Sequence, residues 1–331
     1  MLELLKQKCF SKEWIDYKSH KLSGDPVLIE KVLYAFTLLG YLVQLDEDFI
    51  FKGGTSLMLH TPGIKRLSID IDIVLGKDFN DFYKNISIIP ETGHFKRVEE
   101  DNRGERGLPN RRHIKFFYVS AMSGNEECVI LDVLLENPDF IPFVISKQIK
   151  NDLLEIQTEL SVKLPVIEGL LGDKLAAFAP DTIGVPFVSS KGKSMNMQVV
   201  KQLFDIGKLF DIAADFNKVS KSYKAICFKE SGYRNNAFSE KDVLQDTINT
   251  CLELLQIRLK GFEGSKVTVN LEDGIKRVAS HLLNEKFRTD IEAKVAASKV
   301  FCISNRILNN KMFDFSMNTY DESKISQIKN V

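Results

Sequence analysis

The sequence predicts an α+β fold: a small mixed sheet set between N-terminal helices and a helical C-terminal lobe. Three observations carry this. Leu67, Ile69, Ile71, Ile73 and Leu75 alternate with Ser68, Asp70, Asp72 and Val74, the period-two pattern of a half-buried strand. Other β-rich runs gather between residues 48 and 135, and apolar positions recur at helical spacing on both sides of them.

Residues 1–47 read as a helical segment, in which Pro26-Val27-Leu28-Ile29-Glu30 opens a helix running toward Leu42. Residues 48–147 form the sheet-bearing core. Its strands are Phe49 to Phe51, Leu67 to Leu75, Ile114 to Ser120 and Glu127 to Leu135, with Phe79 to Ile86 as an intervening helix. Residues 148–331 form a helical lobe. After Pro142 the pattern predicts helices over Val166 to Ala179, Val199 to Phe216, Glu240 to Leu259, Leu271 to Asn284 and Thr289 to Leu308, with Val267-Thr268-Val269 as a short extended piece. The tail after Asn309 is polar enough to fray.

At 331 residues, 44% hydrophobic and 27% charged, the chain can bury a large core in two lobes. Lys plus Arg equals 45 and Asp plus Glu equals 45, so no global basic field announces nucleic-acid binding. A local basic patch exists in Arg103, Arg106, Arg111, Arg112 and Lys115, opposed only by Glu105. Such a loop is ordinarily just solvated, yet beside a phosphate-binding site it can receive the phosphates of a nucleotide or an RNA. His113 within it reads as a structural or phosphate-contacting residue, since no second His or Cys has ligand spacing. The cysteines Cys9, Cys128, Cys227, Cys251 and Cys302 are scattered and form no Cys-x-x-Cys pair, a reduced-compartment pattern. No apolar run approaches ~20 residues and the N-terminus has no secretory h-region, so the expected setting is cytoplasmic, with no membrane partner.

The chemistry concentrates between Lys52 and Asp72. Asp70 and Asp72 share one strand face, roughly 7 Å apart from the ~3.3 Å rise per residue. Two carboxylates so placed repel unless a cation lies between them, and Mg²⁺ suits that role because hard divalent ions take carboxylate oxygens and bridge to phosphates. An edge strand with a solvated polar face is the plainer alternative. Upstream, Asp48 to Phe51 reads as a strand stopped by Gly53-Gly54, with Thr55 or Ser56 placed to cap a short helix carrying Leu57, Met58 and Leu59. A strand, a Gly-Gly turn and a helix start make a phosphate cradle, because the backbone can approach closely and the first helical N–H groups are unpaired. Thirteen residues separate Ser56 from Asp70, enough for that helix and the turn Thr61-Pro62-Gly63 to return the chain beside the first strand.

Further along, Ile167, Leu171, Leu175 and Phe178 make one apolar stripe with Lys174 projecting into its middle. That lysine either snorkels to water or meets an anion such as a triphosphate. On the next helix Val199, Leu203, Ile206, Phe210 and Ala213 form the main stripe, so Asp205 lies in a polar cleft or pairs with Lys201 at i,i+4.

Gly53-Gly54-Thr55-Ser56 followed by Arg66-x-Ser68-x-Asp70-x-Asp72 resembles the first motif of the DNA polymerase beta-like nucleotidyltransferases. With Lys52 and Leu57 it is similar to the AbiEii toxin family, the toxin half of bacterial abortive-infection (phage defence) and toxin–antitoxin pairs. Three later segments extend the resemblance as far as Asp211. Val129 to Leu134 is an apolar strand interrupted by Asp132, Glu168 to Leu175 resembles the family's helix with an acidic-Lys-Leu step, and Lys201 to Ile206 resembles its basic-Asp-x-x-Asp-Leu helix. Two departures stand out: Gln202 occupies a position that is often acidic, and a long Gly-, Ser- and Lys-containing insertion runs from Pro180 to Gln198. That insertion is expected to be a mobile loop at the active-site rim.

The resemblance implies an NTP-dependent, Mg²⁺-dependent transfer of NMP to an acceptor hydroxyl with pyrophosphate leaving. Asp70 and Asp72 would hold two Mg²⁺ ions, or Mn²⁺, joined by Asp132. Gly53, Gly54, Thr55 and Ser56 would bind the leaving phosphates, Lys174 and Arg66 would offset their charge, and Asp205 would complete the catalytic set. It further implies a tRNA acceptor, growth inhibition and a cognate antitoxin. A protein hydroxyl or an aminoglycoside-like small molecule is the alternative acceptor, and a non-catalytic binding protein retaining the fold is the alternative class.

Overall fold

The computed structural model describes residues 1–45, 47–61, 63, 65–101 and 109–312. The chain opens with α1 (Lys12–Leu22) and α2 (Pro26–Leu42). Asp25 caps α2 by accepting from the N–H groups of Val27 and Leu28, and Pro26 fills the first helical position. The segment Pro26–Leu45 is long and apolar enough to cross a membrane by length and composition, contrary to the expectation that no run approaches that length. Its apolar residues are buried in the protein, where α2 is a central core helix.

The core then alternates β1 (Phe49–Lys52), α3 (Gly53–Leu57), β2 (Ile71–Leu75), α4 (Phe79–Ile86), β3 (Arg97–Glu100), β4 (Arg111–Val119) and β5 (Glu126–Leu135). These strands form a five-stranded sheet in the order β1-β2-β5-β4-β3. The β2–β5 pair is parallel and the others antiparallel, so the sheet is mixed. The parallel register sets Asp72 opposite Asp132. β2 is shorter than the alternation from Leu67 predicts, because Leu67 N donates to His281 O at 2.7 Å and Arg66 bridges Leu282. The first residue of the predicted strand is thus bonded to the other lobe.

Beyond β5 the expectation of helices after Pro142 fails at first: β6 (Val144–Gln148) and β7 (Ser161–Pro165) pair as a second, antiparallel sheet. The period-two burial of Val162 and Leu164 between exposed Ser161 and Lys163 is the signal that was available. Helices follow as α5 (Ile167–Ala177), α6 (Asn196–Phe210), α7 (Phe216–Gly232), α8 (Glu240–Gln256), α9 (Lys266–Val278) and α10 (Glu292–Leu308). The predicted helix Val199 to Phe216 ends at Phe210, and α7 was not anticipated although Asp215 caps it by accepting from Asn217 N and Lys218 N. Val267-Thr268-Val269 is helical, not extended, since Ser265 and Thr268 form a capping box at the start of α9. The polar tail beyond Met312 lies outside the described residues.

Two large apolar clusters result. The first joins α2, the five-stranded sheet and the segment from Ile149 to Leu164; the second joins α5 to α10 and takes in Leu57 of α3. The division therefore falls near Pro165, not at the expected 147/148, because the β6–β7 segment packs onto the sheet core.

Candidate active site

A cavity of about 380 Å³ lies between the edge of the sheet and the helices α5 and α6. Asp70, Asp72 and Asp132 line one side of it, and Lys174, Lys201 and Gln202 line the other. Asp72 and Asp132 sit side by side on parallel strands, while Asp70 stands in the loop just before β2. Burial pushes the Asp70 carboxyl up to about 6, with the charge of Asp132 adding to it. Burial likewise pushes Asp72 up to about 7, with Asp132 and Asp70 adding and Lys52 and Lys174 opposing. These are crowded anions in a desolvated wall.

His113 faces Asp132 across the β4–β5 pair and its Nδ1 hydrogen-bonds the Asp132 carboxylate, a bond that holds the imidazole above its ordinary pKa. Among the described residues, no three His, Cys, Asp or Glu side chains stand grouped to hold a metal ion. The donor chemistry nevertheless fits a hard divalent cation. Three oxygen-donor carboxylates open on one cavity, and two of them are driven toward protonation by burial and, after it, by their neighbours' charge, a conflict that bound positive charge relieves.

The glycine turn sits against this group. Gly53 has φ +76°, and a Cβ there would lie 2.0 Å from Oδ2 of Asp72. A Cβ on Gly54 would lie 2.7 Å from Oγ of Ser68 and 2.8 Å from a guanidinium nitrogen of Arg66. Both glycines are thus required by the site's own side chains. The hydroxyls differ from expectation. Thr55 and Ser56 do not cap α3, whose N-cap is Lys52; they lie inside the helix, fully buried, and do not line the cavity. Thr55 Oγ1 donates to the Asp70 carbonyl at 2.5 Å and Ser56 Oγ to the Gly53 carbonyl at 2.8 Å. Their hydroxyls fasten the carboxylate loop to the glycine turn and are not presented to a phosphate.

A buried charge cluster forms part of the cavity wall. Arg66 donates from Nε and Nη2 to the two oxygens of Asp205, at 2.8 and 2.7 Å, and from Nη1 to the Leu67 carbonyl at 3.0 Å. Lys174 Nζ approaches the same carboxylate at 3.4 Å and donates to Gln202 Oε1 at 3.0 Å. Burial alone would raise the Asp205 carboxyl, but Arg66 and Lys174 hold it below its ordinary value. The expected i,i+4 partner Lys201 is not its ion-pair partner, because the α6 face carrying Asp205 turns toward Arg66 of the other lobe. Asp205, expected in the catalytic set, does not line the cavity and lies against Arg66 and Lys174. Gln202 supplies a neutral acceptor to Lys174 where a second carboxylate would have competed with Asp205.

The remaining sequence candidates divide. Arg111 lines the cavity, 3.8 Å from Glu230. Arg112 pairs with Glu100 at 3.1 Å and Lys115 with Asp101 at 2.7 Å, both away from the cavity. Arg103, Glu105 and Arg106 lie outside the described residues. The insertion from Pro180 to Gln198 reaches the cavity, where Val185, Met195 and Gln198 form part of the wall; at its start Asp246 accepts from Asp181 N and Thr182 Oγ1 at 2.9 and 2.8 Å, and its last residues, from Asn196, begin α6. Sequence reasoning missed two participants. Asp173 lines the cavity and stands 3.4 Å from Lys52, and Lys201 faces the carboxylates; the acidic-Lys step and the first residue of the α6 motif were the available signals.

These features belong to a nucleotidyltransferase, and the family comparison agrees: the family described as "Nucleotidyl transferase AbiEii toxin, Type IV TA system" matches residues 37–298. The chain belongs to the AbiEii nucleotidyltransferase toxin family. No curated protein sequence matches it significantly. Among solved structures it resembles MenT4, a nucleotidyltransferase toxin from Mycobacterium tuberculosis, with 14% identity over 92% of each chain and a TM-score of 0.49. It also resembles JHP933 from Helicobacter pylori, with 12% identity over 91% of this chain and 97% of that one and a TM-score of 0.43.

Proposed function

We propose that this protein transfers NMP from an NTP to an acceptor hydroxyl on tRNA, and that it is the toxin of a cytoplasmic toxin–antitoxin or abortive-infection pair held in check by a cognate antitoxin. One observation carries the reading: Asp70, Asp72 and Asp132 open on a single cavity whose facing wall is cationic. Asp70, Asp72 and Asp132 are the residues that would hold Mg²⁺ or Mn²⁺, two ions in the family pattern. Bound there, the metal would supply Lewis-acid polarisation of the phosphate and a more acidic acceptor hydroxyl.

The protein's own groups account for the rest. Gly53 and Gly54 let the turn lie flat against Asp72 and Arg66, so a triphosphate approaching the carboxylates meets backbone and no side chain. Arg66 and Lys174, fixed by Asp205, keep positive charge behind the departing pyrophosphate without reorganising. Gln198, Met195 and Val185 offer an amide and two apolar groups on the wall away from the carboxylates, a surface suited to a nucleobase. His113, hydrogen-bonded to Asp132, is a titratable group that can hold a proton beside that carboxylate. The tRNA acceptor rests on the family likeness, supported by Arg111 at the cavity.

The test is transfer of label from α-labelled NTPs to total tRNA by purified protein with Mg²⁺. Label in tRNA is expected. Label only on protein, only on an added aminoglycoside, or on nothing overturns the reading.

A further inference from the structure

Five cationic side chains line the cavity, and all but one of them have a carboxylate within 4 Å. Lys52 stands 3.4 Å from Asp173, Arg66 is held by Asp205 at 2.7 Å, Lys174 stands 3.4 Å from Asp205, and Arg111 lies 3.8 Å from Glu230. Lys201 alone has no hydrogen bond or ion pair to any described residue. It sits on α6 one turn before Asp205, half-buried, with Asp70 facing it and Arg66 and Lys174 beside it.

An ammonium in that position costs free energy unless an anion meets it. Burial pushes Lys201 down to about 8; Arg66 and Lys174 add to the shift, and Asp70 and Asp205 only partly offset it. The neighbouring carboxylates therefore do not neutralise the group. Asp205 is already shared by Arg66 and Lys174, and Asp70 belongs to the carboxylate wall that would hold the metal.

We infer that Lys201 is the side chain that receives a phosphate of the nucleoside triphosphate, in place of Lys174, whose ammonium is already committed to Asp205 and Gln202. This rests on the nucleotidyltransferase reading and assigns within it the group that recognises the triphosphate. Lys174, although it also lines the cavity, then acts through the field it adds to the wall. The geometry makes the assignment: Lys201 and Asp70 line the same cavity and lie close enough to interact electrostatically, so a polyphosphate whose oxygens lie near the carboxylates meets α6 at that residue.

The experiment is calorimetric titration of wild type, Lys201→Met and Lys201→Arg with inorganic tripolyphosphate, with each of ATP, CTP, GTP and UTP, and with the four matching nucleosides, all in Mg²⁺. The wild-type protein is titrated first: if it binds no triphosphate, the nucleotidyltransferase reading itself fails. If it does bind, Lys201→Met should weaken tripolyphosphate and the preferred NTP alike, by about tenfold to a hundredfold, the loss of one charge-assisted hydrogen bond. Nucleoside binding should stay unchanged, and Lys201→Arg should restore most of the loss. Methionine matches the buried stem, so its melting temperature should hold or rise; if it does not fold, Lys201→Gln takes its place. Unchanged tripolyphosphate binding in the folded variant overturns the inference.

Discussion

Arg66 and Asp205 are 139 residues apart in sequence and meet in a two-bond, buried ion pair that joins the sheet lobe to the helical lobe. The pair is shared with Lys174, so removing the carboxylate strands two buried cations. Asp205→Ala should destabilise the protein by about 3–5 kcal/mol. Arg66→Met combined with Asp205→Leu should recover part of that loss, because apolar replacements of similar size leave only Lys174 unpaired. Urea denaturation of the single and double variants checks this; a double variant no better than Asp205→Ala would show that the pair is not the source of the instability.

The carboxylate wall should trade stability against activity. Asp72 lies among Asp70 and Asp132 in a buried wall, so Asp72→Asn removes repulsion while keeping the side chain's shape. In EDTA near pH 8 its melting temperature should equal or exceed that of wild type, while NMP transfer in Mg²⁺ falls by orders of magnitude, roughly 10³-fold or more if a metal ligand is lost. Thermal melts with and without Mg²⁺ read both quantities on one sample. A less stable but active Asp72→Asn would mean that the carboxylate serves a structural ion pair.

Gly53 and Gly192 both have positive φ, at +76° and +75°, but only Gly53 has a side chain in the way. Gly192→Ala should cost about 1 kcal/mol from backbone strain and keep wild-type activity, since nothing lies within 4 Å of the new methyl. Gly53→Ala must displace the Asp72 carboxylate and should abolish transfer. Comparing turnover of the two variants separates backbone strain from displacement of the site.

His60, just after α3, hydrogen-bonds the Pro165 carbonyl through Nε2 at 2.9 Å, and burial with help from Lys147 pushes its pKa from 6.5 down to about 4. The folded state therefore binds the proton less readily than the unfolded chain. The stability this provides is present above 6.5 and is lost as pH falls from there toward 4, on the order of 3 kcal/mol in all. Chemical denaturation from pH 7.5 to 4 should show a steeper decline in wild type than in His60→Gln. Parallel curves would mean that other groups govern acid unfolding.

Much of this organisation is local and so is readable from the chain alone. The Pro26 start of α2, the strand Phe49 to Phe51, the helix Phe79 to Ile86 and the strands around Asp72 and Asp132 follow from caps, period-two alternation and apolar spacing, which neighbouring residues suffice to set. α7 was equally local, written in the Asp215 cap, and was missed; α9 was read from Leu271 onward, and only its first turn, written in the Ser265–Thr268 box, was taken as extended. What only the tertiary structure decided is which polar groups meet. The hydroxyls of Thr55 and Ser56 turn to carbonyls, Asp205 turns to Arg66 and not to Lys201, and Lys201 is left facing the cavity. Sequence spacing places a side chain on a face of its own helix or strand. Its partner across the fold is chosen by the desolvation of both groups together, a property of two lobes in contact and not of either segment.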